Sequence, residues 1–355
     1  MRQRREKLLE KLAPYEVDGM LTFSPENRRY MTGFSGSSGY VLITQDETLL
    51  LTDSRYKEQA VKEATESEVQ MHDVNWMSSL REQVQRKQVR RLGFEPNSVT
   101  FHLHQELSKE LPGVMLVPVD QMIDQVRMIK EPSEIEIMQV AAQIADAAFT
   151  HITEWIRIGV TERDIALELY VTMQKHGASG ISFDTIVASG ERSSMPHGVA
   201  SDRIIQKGDF ITLDFGALYK GYASDLTRTV LIGEASDRQR EIYSIVYEAQ
   251  GRALNAICAG MTGREADTVA REIIRIAGYG ENFGHSLGHG LGLAVHEAPR
   301  LAQQSQDVLQ EGMVVTVEPG VYLSGFGGVR VEDDIVVTKN GSYRLTQSTQ
   351  ELLVL

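Results

Sequence analysis

The chain has 355 residues, enough for two substantial cores, and its apolar and charged fractions of 42% and 24% are those of an ordinary globular protein. A formal net charge of -13 argues against a nucleic-acid-binding surface, which needs concentrated Lys and Arg. Cys258 is the single cysteine, so no intrachain disulfide forms; within Ala256-Ile257-Cys258-Ala259 it reads as a buried helical position.

The start, Met1-Arg2-Gln3-Arg4-Arg5-Glu6-Lys7-Leu8-Leu9, leads into an amphipathic helix and not into the apolar run of a signal peptide. No stretch reaches membrane-spanning length, so a cytoplasmic protein without a membrane partner is expected. Residues 1 to 123 then alternate apolar runs, at Gly19 to Phe23, Tyr40 to Ile43 and Thr48 to Leu51, with helical patterns such as Asp53 to Ala64. That alternation predicts an α/β domain. Its Gly33-Phe34-Ser35-Gly36-Ser37-Ser38-Gly39 loop lacks the Gly-Lys-Ser/Thr ending of a phosphate loop and reads as a structural or substrate-lining turn.

A second domain, residues 124 to 355, opens with Lys130-Glu131-Pro132-Ser133. Pro132 suits a helix start, Ser133 and Glu136 have capping-box spacing, and apolar residues recur at Ile137, Val140, Ile144, Ala148 and Ile152. This domain reads as internally duplicated. Gly159-Val160-Thr161-Glu162-Arg163 starts a helix ending near Gly177, and Gly260-Met261-Thr262-Gly263-Arg264 starts one ending near Gly278. Each Thr is a good N-cap and each terminal Gly a good C-cap. Helices from about Pro132 and Ser236 precede them, and paired strands follow. The expected fold is α/β (α+β), with two helix-helix-strand-strand halves about a pseudo-twofold axis.

Both strand pairs carry acids inside apolar runs: Asp214 in Phe210-Ile211-Thr212-Leu213-Asp214-Phe215, then Asp225; Glu318 after Val314-Val315-Thr316-Val317, then Glu332. A lone Asp near a strand end is an ordinary cap or turn residue. Four carboxylates repeated at matching places are another matter, because burying them is costly unless a cation neutralises them. Asp214 and Asp225 are expected opposite each other across a turn near Tyr219, Lys220 and Gly221. Between the pairs lies Gly284 to Glu297, which holds His285, His289 and His296, three of the nine histidines. Four carboxylates with one imidazole suit two divalent ions, with Mn, Co or Zn fitting better than copper or iron-sulfur chemistry.

Met195-Pro196-His197-Gly198, Leu213-Asp214-Phe215-Gly216, Ser224-Asp225-Leu226-Thr227-Arg228, His285 through Pro299, Val317-Glu318-Pro319-Gly320-Val321-Tyr322 and Val329-Arg330-Val331-Glu332-Asp333 together resemble the pita-bread metallopeptidases. The branch is that of Xaa-Pro dipeptidase (prolidase) and aminopeptidase P. Tyr30-Met31-Thr32-Gly33-Phe34-Ser35-Gly36 and Thr52-Asp53-Ser54-Arg55-Tyr56 resemble its creatinase-like N-terminal domain. Methionine aminopeptidases usually lack that domain, and creatinase does not keep the metal ligands.

The resemblance implies Asp214, Asp225, His289, Glu318 and Glu332 as ligands, with Asp225 and Glu332 bridging, and a metal-bridging hydroxide as nucleophile. It implies His296 or His197 as donor to the oxyanion and Glu318 as proton relay to the departing proline nitrogen. His285 and His296 would lie near the proline pocket, with Phe183 on its apolar wall. Arg300 would clamp a free substrate carboxylate. Arg330, two residues before Glu332 and so on its strand face, would orient that carboxylate or, with Tyr322, assist proton transfer. The expected substrates are proline-containing dipeptides, with aminopeptidase P action on longer peptides as the alternative and a non-catalytic peptide-binding scaffold as the reading from another class. The family also implies a homodimer.

Overall fold

The computed structural model describes residues 1–72 and 74–355, and every count below is of those residues. The chain divides into two compact units, Met1–Arg127 and Met128–Leu355. The first is built on a six-stranded mixed sheet of β1 (Gly19–Thr22), β2 (Tyr40–Thr44), β3 (Thr48–Asp53), β4 (Glu68–His72), β5 (Arg91–Phe94) and β6 (Met115–Pro118), in the order β4-β3-β2-β1-β5-β6. β1 pairs antiparallel with β2 after a connection that contains the helix Pro25–Thr32, β2 and β3 form a hairpin, and β4, β5 and β6 join in parallel after helical crossovers.

The second unit has two halves of similar construction. In the first, α1 (Pro132–Trp155) and α2 (Glu162–Lys175) cover a sheet of β7 (Ile186–Ser189), β8 (Phe210–Phe215) and β9 (Leu226–Leu231). In the second, α3 (Asp237–Ala256) and α4 (Gly263–Ile276) cover a sheet containing β10 (Gly288–Gly290), β11 (Glu297–Leu301), β12 (Val314–Val317), β15 (Asp333–Thr338) and β16 (Gly341–Arg344). A ribbon of β13 (Gly320–Leu323) and β14 (Gly327–Arg330) connects β12 to β15. Thr161 and Thr262 cap α2 and α4 through capping boxes with Asp164 and Glu265, and Gly177 and Gly278 follow the helix ends with positive φ. The cap of α1 differs from expectation. Pro132 occupies the first turn, so the box forms two residues earlier, with the Glu134 carboxylate accepting the Glu131 N–H at 2.9 Å.

Strand parity decides what faces where. Ile211, Leu213, Phe215, Leu226 and Val230 pack under α1 and α2, so Asp214, Asp225 and Thr227 belong to the opposite face. Val315, Val317, Val329, Val331, Ile335 and Val337 pack under α3 and α4, which leaves Thr316, Glu318, Arg330 and Glu332 on the other side. The two inner faces meet: Thr227 O accepts from Glu332 N–H at 3.0 Å, and Asp334 Oδ2 accepts from Asp225 N–H at 2.9 Å.

The register corrects one expectation. Asp214 pairs with Thr227, and Asp225 lies two residues further along. Lys220 and Gly221 form a two-residue turn with φ of 46° and 81°, placing Leu218 opposite Ala223 and Leu226 opposite Phe215. A shift of two preserves the face, so Asp225 still points inward. Between the hairpin and the β8–β9 ladder the pairing breaks at Gly216 and Asp225. An equivalent break separates β13–β14 from β12–β15, and Glu318 and Glu332 sit at it. A second correction concerns Cys258, which lies beyond the end of α3 and is half-buried.

The break at Gly216 is sterically exacting, since a Cβ there would lie 1.8 Å from Ser224 O. Gly216→Ala is expected to lower the stability of the metal-free protein by about 1–3 kcal/mol, as overpacking does, and to weaken metal binding by displacing Asp225. Urea denaturation and metal titration of the variant check both effects.

Candidate metal centre

Asp214 on β8, Asp225 before β9, His289 on β10, Glu318 after β12 and Glu332 before β15 all line one cavity of about 450 Å³. Asp214, Asp225, His289 and Glu332 are buried. Asp225, His289 and Glu332 present ligand atoms all within 4.8 Å of one another. Glu318 Oε1 lies 3.5 Å from His289 Nε2, and Asp225 Oδ2 lies 3.8 Å from the same nitrogen.

Hydrogen-bond accounting tests whether a cation fits this cluster. Among the described residues, Asp214 Oδ1, Asp225 Oδ1 and Glu332 Oε1 find no hydrogen-bond partner although they are buried, where a carboxylate oxygen ordinarily has one. The His289 Nδ1 faces the Gly290 carbonyl at 3.1 Å; a carbonyl only accepts, so the proton sits on Nδ1 and Nε2 offers a bare lone pair to Asp225 and Glu318. Lone pairs therefore meet lone pairs across the centre, and a divalent cation is the complement such a donor set requires. Burial and mutual repulsion push the Asp225 and Glu332 carboxyls well above their usual range, and burial pushes Glu318 up to about 8. Desolvation drives His289 down to about 4, so its imidazole is neutral and able to ligate.

Arg330 partly offsets the acids. It donates to Asp214 Oδ2 at 2.5 Å, to the Tyr322 hydroxyl at 2.8 Å and to Pro196 O at 3.2 Å. It does not bond Glu332, as the sequence had suggested; Glu332 Oε2 is held by the Thr227 hydroxyl at 2.5 Å. The Tyr322 hydroxyl, raised to about 12 by burial, also lies 2.9 Å from His285 Nε2. Since His285 Nδ1 must donate to Ser286 O at 2.8 Å, Nε2 accepts from Tyr322, and both ring nitrogens are committed to the protein. What His285 can offer a ligand is its ring surface.

Phe183, His197, His285, His296 and Arg300 also line the cavity. The His296 ring lies 4.3 Å from that of His289, centroid to centroid, and burial together with the nearby Arg300 lowers its affinity for a proton. Arg300 is exposed and pairs across the strands with His289. Residues the sequence reading passed over stand behind the acids: Thr316, whose hydroxyl meets both His289 N–H and Glu318, and Asp334, which fixes the Asp225 backbone. Thr316, Thr227 and Asp334 could all have been found from parity, as the inward-facing residues two positions from Glu318, Asp225 and Glu332.

Residues 136–339 match the model of metallopeptidase family M24, and residues 4–129 match the Creatinase/Prolidase N-terminal domain. The chain belongs to metallopeptidase family M24, with the pita-bread catalytic fold and the creatinase-type domain in front of it. It is similar to a solved structure of the Xaa-Pro dipeptidase from Bacillus anthracis, at 48% identity and a TM-score of 0.97 over 100% of this chain and 99% of that one. A solved X-Pro aminopeptidase from Thermotoga maritima is 43% identical, with a TM-score of 0.91 over 96% and 98% of the two chains. The Xaa-Pro dipeptidase of Pyrococcus furiosus is 41% identical over 99% of this chain and 100% of its own length.

Carboxyl groups raised in the folded state but ordinary in the unfolded state stabilise the metal-free fold fully below their unfolded value of about 4.5. That contribution is lost as pH rises through about 8 for Glu318. The melting temperature of the metal-free protein is expected to fall from about pH 5 to about pH 8, and metal uptake to release protons over the same range. Thermal scans with and without Mn, and calorimetry in buffers of different ionisation enthalpy, test this.

Proposed function

We propose that this protein is a Xaa-Pro metallopeptidase that hydrolyses the amide preceding proline, acting best on dipeptides. The observation that carries the reading is the set of unpartnered carboxylate oxygens on Asp214, Asp225 and Glu332, turned with His289 toward one cavity in a chain so similar to Xaa-Pro dipeptidases. Asp214, Asp225, His289, Glu318 and Glu332 would hold two divalent ions, Mn or Co by preference and Zn as the alternative, with Asp225 and Glu332 shared between them. When bound, such ions depress the pKa of water to give a nucleophile at neutral pH and polarise the scissile carbonyl.

The remaining work falls to the chain's own side chains. His296 and His197 stand on the cavity wall, where an imidazole N–H can donate to the oxygen that gains charge. Glu318 takes a proton on its carboxylate and returns it to the proline nitrogen. Proline supplies no N–H to grip, so recognition rests on shape, and the His285 ring with Phe183 offers surface for the pyrrolidine. Arg300, exposed at the mouth, suits a free carboxylate at the end of a dipeptide.

Similarity to the Thermotoga maritima X-Pro aminopeptidase favours a second reading, release of the residue before proline from longer peptides. Ala-Pro and Ala-Pro-Ala separate the two. Metal-stripped protein given Mn or Co is expected to cleave Ala-Pro in preference to Ala-Pro-Ala. Arg300→Ala is expected to raise KM for the dipeptide about tenfold, as loss of a charge-assisted hydrogen bond does, with little change in kcat. Preference for the tripeptide would assign the aminopeptidase activity instead, and no cleavage of either by protein with bound metal would defeat the proline-peptidase reading.

A further inference from the structure

Glu162 opens α2 and its side chain is fully buried, yet it takes no part in the metal centre. Its Oε1 accepts from the Ser189 N–H at 2.8 Å and the Ser189 hydroxyl at 2.7 Å. Its Oε2 accepts from the Ser201 N–H at 3.0 Å and the Ser201 hydroxyl at 2.6 Å, and from the Arg192 guanidinium. Ser189 ends β7 and Ser201 follows the segment Met195-Pro196-His197-Gly198. One carboxylate therefore ties together both ends of the loop that carries His197.

Arg192 braces the same loop from within, donating through Nη2 to Val199 O at 2.9 Å. The far side is fastened by the Gly328 N–H, which donates to the Ser193 hydroxyl at 2.9 Å, and by Arg330, which donates to Pro196 O. His197 is exposed, and among the described residues no side chain hydrogen-bonds its imidazole. The loop backbone alone sets where that ring sits. The other half of the fold anchors the backbone of a histidine-bearing segment in a comparable way, although the His285 ring is itself hydrogen-bonded: Asp267 on α4, fully buried, accepts from Arg271 and from Leu287 N–H, and Arg271 donates to Phe283 O at 2.8 Å and His285 O at 2.7 Å.

We propose that Glu162, with Arg192, is a positioning residue for His197, fixing the imidazole at the cavity wall by closing the 189–201 loop. The proposal rests on the reading of His197 as a donor to the reacting carbonyl. Every group around Glu162 is a donor, so an amide nitrogen in place of one oxygen faces donors and releases one end of the loop.

Glu162→Gln, His197→Ala and the double variant form the test, assayed as metal-loaded full-length protein on Ala-Pro. Glu162→Gln is expected to lower kcat by about ten- to a hundredfold, as small misplacements of a reacting group do, with metal content unchanged. On the His197→Ala background it is expected to cause no further loss, because the residue acts through the missing ring. Equal losses on both backgrounds, or loss of bound metal, would overturn the proposal. Amide hydrogen exchange over residues 190–200 reads the clamp without substrate, and unchanged rates in Glu162→Gln would also overturn it. Should Glu162→Gln not fold, Arg192→Gln spares the serine contacts and is judged by the same non-additivity. Failure of the wild type to cleave Ala-Pro would count against the Xaa-Pro reading alone, leaving hydrogen exchange to decide whether the loop is clamped.

Discussion

The constraint on which this structure turns is electrostatic: Asp214, Asp225, Glu318 and Glu332 share one buried cavity, and Arg330 bonds to Asp214 alone among them. Like charges at such separations in a low-dielectric surrounding cannot all ionise unless a cation joins them. The metal-free protein answers by favouring the protonated forms of Asp225, Glu318 and Glu332, and a bound cation would take the place of those protons. Binding and protonation are two solutions to one problem, which is why affinity, stability and pH are coupled here.

Holding unlike-minded groups together requires a stiff frame, and the frame lies behind them. Arg228 is 1% exposed and donates to Glu332 O, Thr227 O, Thr349 O, Ser348 O and Asp333. Asp333, fully buried, also receives Thr346, Gln250 and Gln350. This network joins the strand of the first half to that of the second just behind Asp225 and Glu332. Removing one partner would leave buried charge uncompensated, so the network acts as a single unit and fixes the relative position of the two halves' acids.

Much of this was legible in the sequence because burial of charge is rare enough to be informative. Asp214 within Ile211-Thr212-Leu213-Asp214-Phe215 and Glu318 after Val314-Val315-Thr316-Val317 break an apolar pattern that should contain no acid, and strand parity then assigns their face. The paired Thr caps and Gly ends declared the duplication. Register was not legible to the same degree: moving the centre of the turn by one residue, from Tyr219-Lys220 to Lys220-Gly221, shifts the pairing by two, and the sequence does not specify which, so Thr227 took the place opposite Asp214 expected for Asp225. Glu162 was invisible for another reason. It follows a Thr cap in a helix's first turn, where acids are common for dipole and capping reasons, and only the folded loop from Ser189 to Ser201 reveals what its oxygens hold.

The orphaned oxygens and the bare His289 nitrogen are expected to form a dinuclear cation site. Diffraction from crystals soaked in Mn, with anomalous differences collected near the Mn absorption edge, tests it most directly. Two anomalous peaks are expected in the cavity, both in contact with Asp225 and Glu332 and one of them with His289. A single peak, peaks elsewhere, or a cluster that stays metal-free under saturating Mn would contradict it.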